Sequence, residues 1–124
     1  MKTAVLTFTE HQNPVDRGHM AHVLHLGAEL KRAGQDFVVI FAGKSVEWLP
    51  QLTNPNRHEE HPFIKNYGHL FDEFRDHVHV CNFCSIRFGA KEQVQAAGLK
   101  IEGEGKAHME LSTYVLEGWN IVRI

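Results

Sequence analysis

The chain has 124 residues, 43% of them hydrophobic and 23% charged, with a formal net charge of −2. That is enough apolar material for one packed core in one domain spanning 1–124, and too little charge for a long disordered chain. The slightly acidic balance argues against a protein whose main work is coating nucleic acid, which takes a basic excess.

Val5 to Phe8 reads as a buried first strand. It soon meets Glu10, His11 and Gln12, with no small-residue cleavage site, so it is not read as a signal peptide. Asn13-Pro14 marks a turn, and Asp16 is the expected cap of a helix from Arg17 to Ala33 that stops at Gly34. Met20, Val23, Leu24, Gly27 and Leu30 form its apolar face at helical spacing. Phe37 to Phe41 is a continuous apolar run of strand length, as in a parallel sheet covered on both faces. Gly43 ends it, and a short helix is expected from Ser45 to Leu52. Thr53 to Pro62 reads as a polar loop. A second amphipathic helix, Phe63 to Phe74, turns Ile64, Tyr67, Leu70, Phe71 and Phe74 inward.

His77 to Cys81 alternates like a strand, and a helix carrying Cys84, Ile86 and Phe88 follows at once and reaches Gly89. A short helix over Lys91–Ala97, a brief strand at Leu99–Ile101 and a Gly103-Glu104-Gly105 loop come next. A last helix from Ala107 to Glu117 stops at Gly118, and Trp119 to Ile124 is the final strand. This alternation predicts an α/β fold, a three-layer α/β/α sandwich around a mainly parallel sheet of about five strands, flavodoxin-like in architecture. Ligands and reactive groups of such sheets gather beyond the carboxyl ends of the strands. The segments to inspect are therefore Thr9–Arg17, Ala42–Ser45 and Cys81–Cys84.

Cys81-Asn82-Phe83-Cys84 is the strongest chemical signal. Cys81 falls at a strand's carboxyl end and Cys84 in the first turn of the next helix. The unpaired N–H groups and dipole of a helix N-terminus favour a nearby thiolate. The residues admit three readings: a nucleophilic or sulfur-carrying thiol at Cys81, half of a zinc site, or two packed hydrophobes. For a metal, His77 and Cys81 lie about 13 Å apart along the strand at roughly 3.3 Å per residue, too far to share one ion. His79, or a loop histidine such as His11, is the available alternative. Two cysteines build no disulfide framework, and no apolar run nears the ~18 residues of a membrane span. A reducing, cytoplasmic setting with no membrane partner is expected.

Other signals carry less. Ala42-Gly43-Lys44-Ser45 follows a strand as a phosphate loop does, but Val38 stands where that pattern needs a glycine. Gly103-Glu104-Gly105 has His108 where a dinucleotide fingerprint needs its third glycine. His19, His22 and His25 drift around the first helix and read as surface. His58 and His61 are three apart rather than the four of a zinc protease motif.

The run Val80-Cys81-Asn82-Phe83-Cys84-Ser85-Ile86-Arg87-Phe88-Gly89 resembles the DsrE/DsrF-like family of small sulfur-relay proteins, in which a cysteine ends a strand and a glycine closes the following helix. The likeness extends to Arg17–Gly34, Phe37–Gly43 with Ser45-Val46, Glu110-Leu111-Ser112 and Leu116-Glu117-Gly118-Trp119. The resemblance implies a persulfide carrier or sulfurtransferase with the sulfur on Cys81. It further implies Cys84 as a resolving or auxiliary thiol, sulfur donor and acceptor proteins as partners, no cofactor, and a trimer or hexamer. Arg17, in the first strand-to-helix connection, is the candidate cationic neighbour of the thiolate; Arg87, on the helix after Cys81, is a weaker one. The alternatives are a non-catalytic binding or regulatory subunit of the same fold and a Cys/His transition-metal module.

Overall fold

A computed structural model describes residues 1–124. Five strands, β1 (Lys2–Thr7), β2 (Asp36–Phe41), β3 (Val78–Cys81), β4 (Lys100–Glu102) and β5 (Asn120–Arg123), form one sheet in the order β4-β3-β2-β1-β5. Every pairing is parallel. The helices are α1 (Pro14–Arg32), α2 (Trp48–Leu52), α3 (Pro62–Phe74), α4 (Asn82–Arg87), α5 (Lys91–Ala96) and α6 (Ser112–Leu116).

Alternation along the strands sorts side chains between two unequal cores. Val5, Phe37, Val39, Phe41, Val78 and Val80 pack with α1, α2, α3 and α5 in the larger one. Ala4, Val38, Ile40, Ala42 and Cys81 face the smaller one, closed by Met109 and by Tyr114 of α6. The three-layer α/β/α order is thus present, with one thick helical layer and one thin.

Several boundaries differ from the sequence reading. Helix α1 begins at Pro14 and is capped by Asn13, whose side chain accepts from the Val15 N–H at 2.9 Å. Proline at the first helical position lacks only a donor that has no helical partner, so the helix starts before Asp16. Asp16 instead accepts from the Glu10 N–H at 2.8 Å and braces the preceding loop. Residues Gly43–Glu47 form a 3-10 turn, leaving only Trp48–Leu52 as α-helix. The Thr53–Pro62 loop contains a 3-10 turn over Arg57–Glu59, held where Arg57 donates to Leu52 O at 3.1 Å and pairs with Asp72. His77 lies in a 3-10 turn rather than in β3, with its ring stacked on Phe37 at 4.1 Å.

The largest change is at the last helix. Expected over Ala107–Glu117, it covers only Ser112–Leu116. Gly103 has φ +89, and a Cβ there would stand 2.8 Å from the Met109 backbone nitrogen. The chain folds back on this glycine and buries Met109 in the smaller core instead of extending a helix.

Helices α1 and α3 meet closely at Gly27, where a Cβ would fall 2.6 Å from the ring of buried Phe74. Overpacking so tight a contact is costly. Gly27→Val is expected to lower unfolding free energy by about 1–3 kcal/mol, measured by urea denaturation.

Candidate functional site

The carboxyl ends of β1, β2 and β3 converge on the cysteine pair. Ser45 Oγ donates to Thr7 O at 2.9 Å and to Ala42 O at 2.7 Å, tying the ends of β1 and β2 together. Immediately before it Gly43 turns at φ +58, a left-handed conformation that suits glycine. The turn aims the Gly43 N–H at Cys84 Sγ, 3.1 Å away. The Ala42–Ser45 stretch that looks like part of a phosphate loop thus cradles a thiol.

Cys81 takes the residue position that caps α4, with extended backbone at φ −67 and ψ 120. Its sulfur receives no capping hydrogen bond from the helix, and the side chain is buried at 2% exposure beside Met109 and Tyr114. Cys84 is half-buried, and both cysteines are free thiols. Burial pushes the Cys84 thiol up to about 11, helped by the neighbouring Cys81 thiol and partly opposed by the Gly43 N–H. Cys84 is therefore protonated at neutral pH and is a weak nucleophile there.

Arg17 is not gathered to this pair. Its Nε donates to His11 O at 3.3 Å, and it lines a separate cleft of about 220 Å³ with Trp48 and His61. Arg87 is exposed and lies over the Phe88 ring, 5.5 Å from its centroid. The cation that does reach the motif is Lys91, whose Nζ donates to Asn82 Oδ1. No group of three or more His, Cys, Asp or Glu side chains stands close enough to hold a metal ion, so the metal-module reading has no ligand set. His11 sits 3.8 Å from Glu47, and His79 is engaged elsewhere.

That engagement was not legible in the sequence. His79 Nδ1 lies 3.2 Å from Glu102 Oε1 and 3.1 Å from the Tyr114 hydroxyl. The Tyr114 hydroxyl is 2.9 Å from each Glu102 oxygen. His79 holds the Glu102 carboxyl below its ordinary range, ahead of an opposing effect of burial. Burial, then Glu102, keep the Tyr114 phenol well above its own, so it stays a donor. The register pairs Cys81 with Glu102, which places this cluster next to the buried thiol on the same sheet face.

The model of the DsrE/DsrF-like family matches residues 2–124, from the first strand to the last residue. The chain belongs to the DsrE/DsrF-like family. It is 31% identical over 125 residues to the uncharacterized protein MJ0733 of Methanocaldococcus jannaschii, covering 100% of this chain and 96% of that one. Its fold is similar to that of a conserved protein of unknown function, BT1422, from Bacteroides thetaiotaomicron. There the TM-score is 0.65 at 18% identity, over 99% of this chain and 94% of that one. No helix of this DsrE/DsrF-like chain is long and apolar enough to cross a membrane.

The raised Cys84 thiol sets a pH expectation. In a Cys81→Ser variant, which keeps the burial but loses the Cys81 contribution, alkylation of Cys84 by iodoacetamide should rise about tenfold per pH unit through neutral pH and level off only above the ordinary thiol range, followed by mass spectrometry. A plateau below pH 9 would show a thiol that burial does not control.

Proposed function

We propose that this DsrE/DsrF-like protein is a sulfur carrier, with Cys81 bearing a persulfide received from one partner and passed to another. The observation that supports this most is the asymmetry of the thiol pair. Cys84 Sγ accepts the Gly43 N–H, while Cys81 ends β3 at the cap position of α4 with no capping bond on its sulfur, which supports Cys81 as the candidate nucleophile and Cys84 as the auxiliary thiol beside it. Phe83 and Ile86, 51% and 60% exposed on α4, offer apolar contact for a protein partner next to the sulfur. Because Cys81 is almost wholly covered, transfer requires part of the smaller core around it to move aside.

That burial also favours a second reading, a non-catalytic binding subunit with inert thiols. Intact-mass measurement after incubation with a low-molecular-weight persulfide separates the two. The carrier reading expects one added sulfur on the wild type and on Cys84→Ser, and none on Cys81→Ser. Uptake by none of the three supports the binding subunit, and full uptake by Cys81→Ser removes the role given to Cys81.

A further inference from the structure

Persulfide transfer has a proton requirement that the thiol pair does not meet. Cys81 must lose a proton to attack, and the departing thiolate must gain one. Cys84, held protonated, is no base at neutral pH. The nearest imidazole along the strand belongs to His79. A carboxylate only accepts hydrogen bonds, so the contact with Glu102 places the His79 proton on Nδ1. In the neutral ring Nε2 then carries the lone pair, and no hydrogen bond in the structure occupies it. A carboxylate behind one imidazole nitrogen fixes the tautomer and stabilises the imidazolium, as acid–base catalysis needs.

Placement supports this use. Val78 and Val80 point into the larger core, while Cys81 and His79 face the other side of β3. They lie two residues apart on one strand face, with Cα atoms separated by roughly 6.6 Å. His79, Glu102 and Tyr114 also line a cleft of about 410 Å³, which opens the imidazole to solvent, while Cys81 lies covered beside it. Lys100 is the register partner of His79, and Lys106, Glu110 and Glu117 line the same cleft. With Glu102, Tyr114 and Cys81 these are the titratable groups that face the ring.

We propose that His79 is the acid–base residue of sulfur transfer at Cys81, with Glu102 and Tyr114 as its positioning residues. This rests on Cys81 being the sulfur-bearing thiol. His79 Nε2 takes the Cys81 thiol proton through a water that enters when Cys81 is uncovered. The Cys81 thiolate attacks the terminal sulfur of a donor persulfide R–S–SH. The new bond joins Cys81 Sγ to that sulfur, and the donor's S–S bond breaks. The leaving R–S⁻ receives the proton from His79 and departs as R–SH. One thiol and one persulfide become one persulfide and one thiol, with no net oxidation or reduction.

The test is the pH–rate profile of single-turnover sulfur uptake from a low-molecular-weight persulfide, read by quenched intact mass. Wild type should lose rate at acid pH, where a protonated imidazole cannot accept the thiol proton. His79→Gln should be about a hundredfold slower at neutral pH and lack that limb. In His79→Gly, added imidazole should restore part of the rate, which a purely structural role would not allow. Glu102→Gln should slow uptake, because the carboxylate that fixes the proton on Nδ1 is gone. Rates within about twofold of wild type in both Glu102→Gln and His79→Gln, with the acid limb retained in His79→Gln and Cys81→Ser inactive, overturn the inference while the carrier reading stands. Absence of uptake at Cys81 in the wild type overturns both.

Discussion

The structure turns on a four-residue strand. β3 is central enough to pair with both β2 and β4, and the alternation of a parallel strand commits each of its side chains. Val78 and Val80 are spent on the larger core. His79 and Cys81 are thereby forced onto the face that the chain covers most thinly. The register with β4 then sets Glu102 opposite Cys81. A slip of one residue would turn the thiol into the helical layer and the valines toward the cleft.

The same geometry gives two chemically similar thiols different surroundings. Cys84 belongs to a helix packed against the turn after β2, so a backbone N–H from that turn reaches its sulfur. Cys81 belongs to the strand, so its neighbours are the side chains of the smaller core. That core is closed by a five-residue helix and by a connection folded on Gly103, not by a long helix.

Much of this was readable from the chain. The buried run Phe37–Phe41 announces a parallel strand, the spacing of Met20, Val23 and Leu24 announces a helix, and Cys81 falls at a strand end as expected. What escaped depends on partners distant in sequence. Gly43 and Cys84 are separated by 41 positions, and Tyr114 meets His79 across 35. Such contacts follow from strand order and register, which local periodicity does not encode. Arg17 looked placed for a thiolate because its loop lies at the correct end of the sheet, but the fold directs its guanidinium to His11 O. The last helix was overread because Met109 fits a helical pattern equally well when it is buried by a backbone reversal at Gly103.

The central claim is that the strand thiol, and not its helical neighbour, holds the transferred sulfur. Fragmentation mass spectrometry of the peptide containing both cysteines tests it most directly, after the wild-type protein has been loaded with a persulfide donor and its sulfurs trapped by alkylation. Cleavage between Cys81 and Cys84 should leave the added sulfur on the fragment carrying Cys81. Added sulfur on the fragment carrying Cys84, or none on either, would contradict the account.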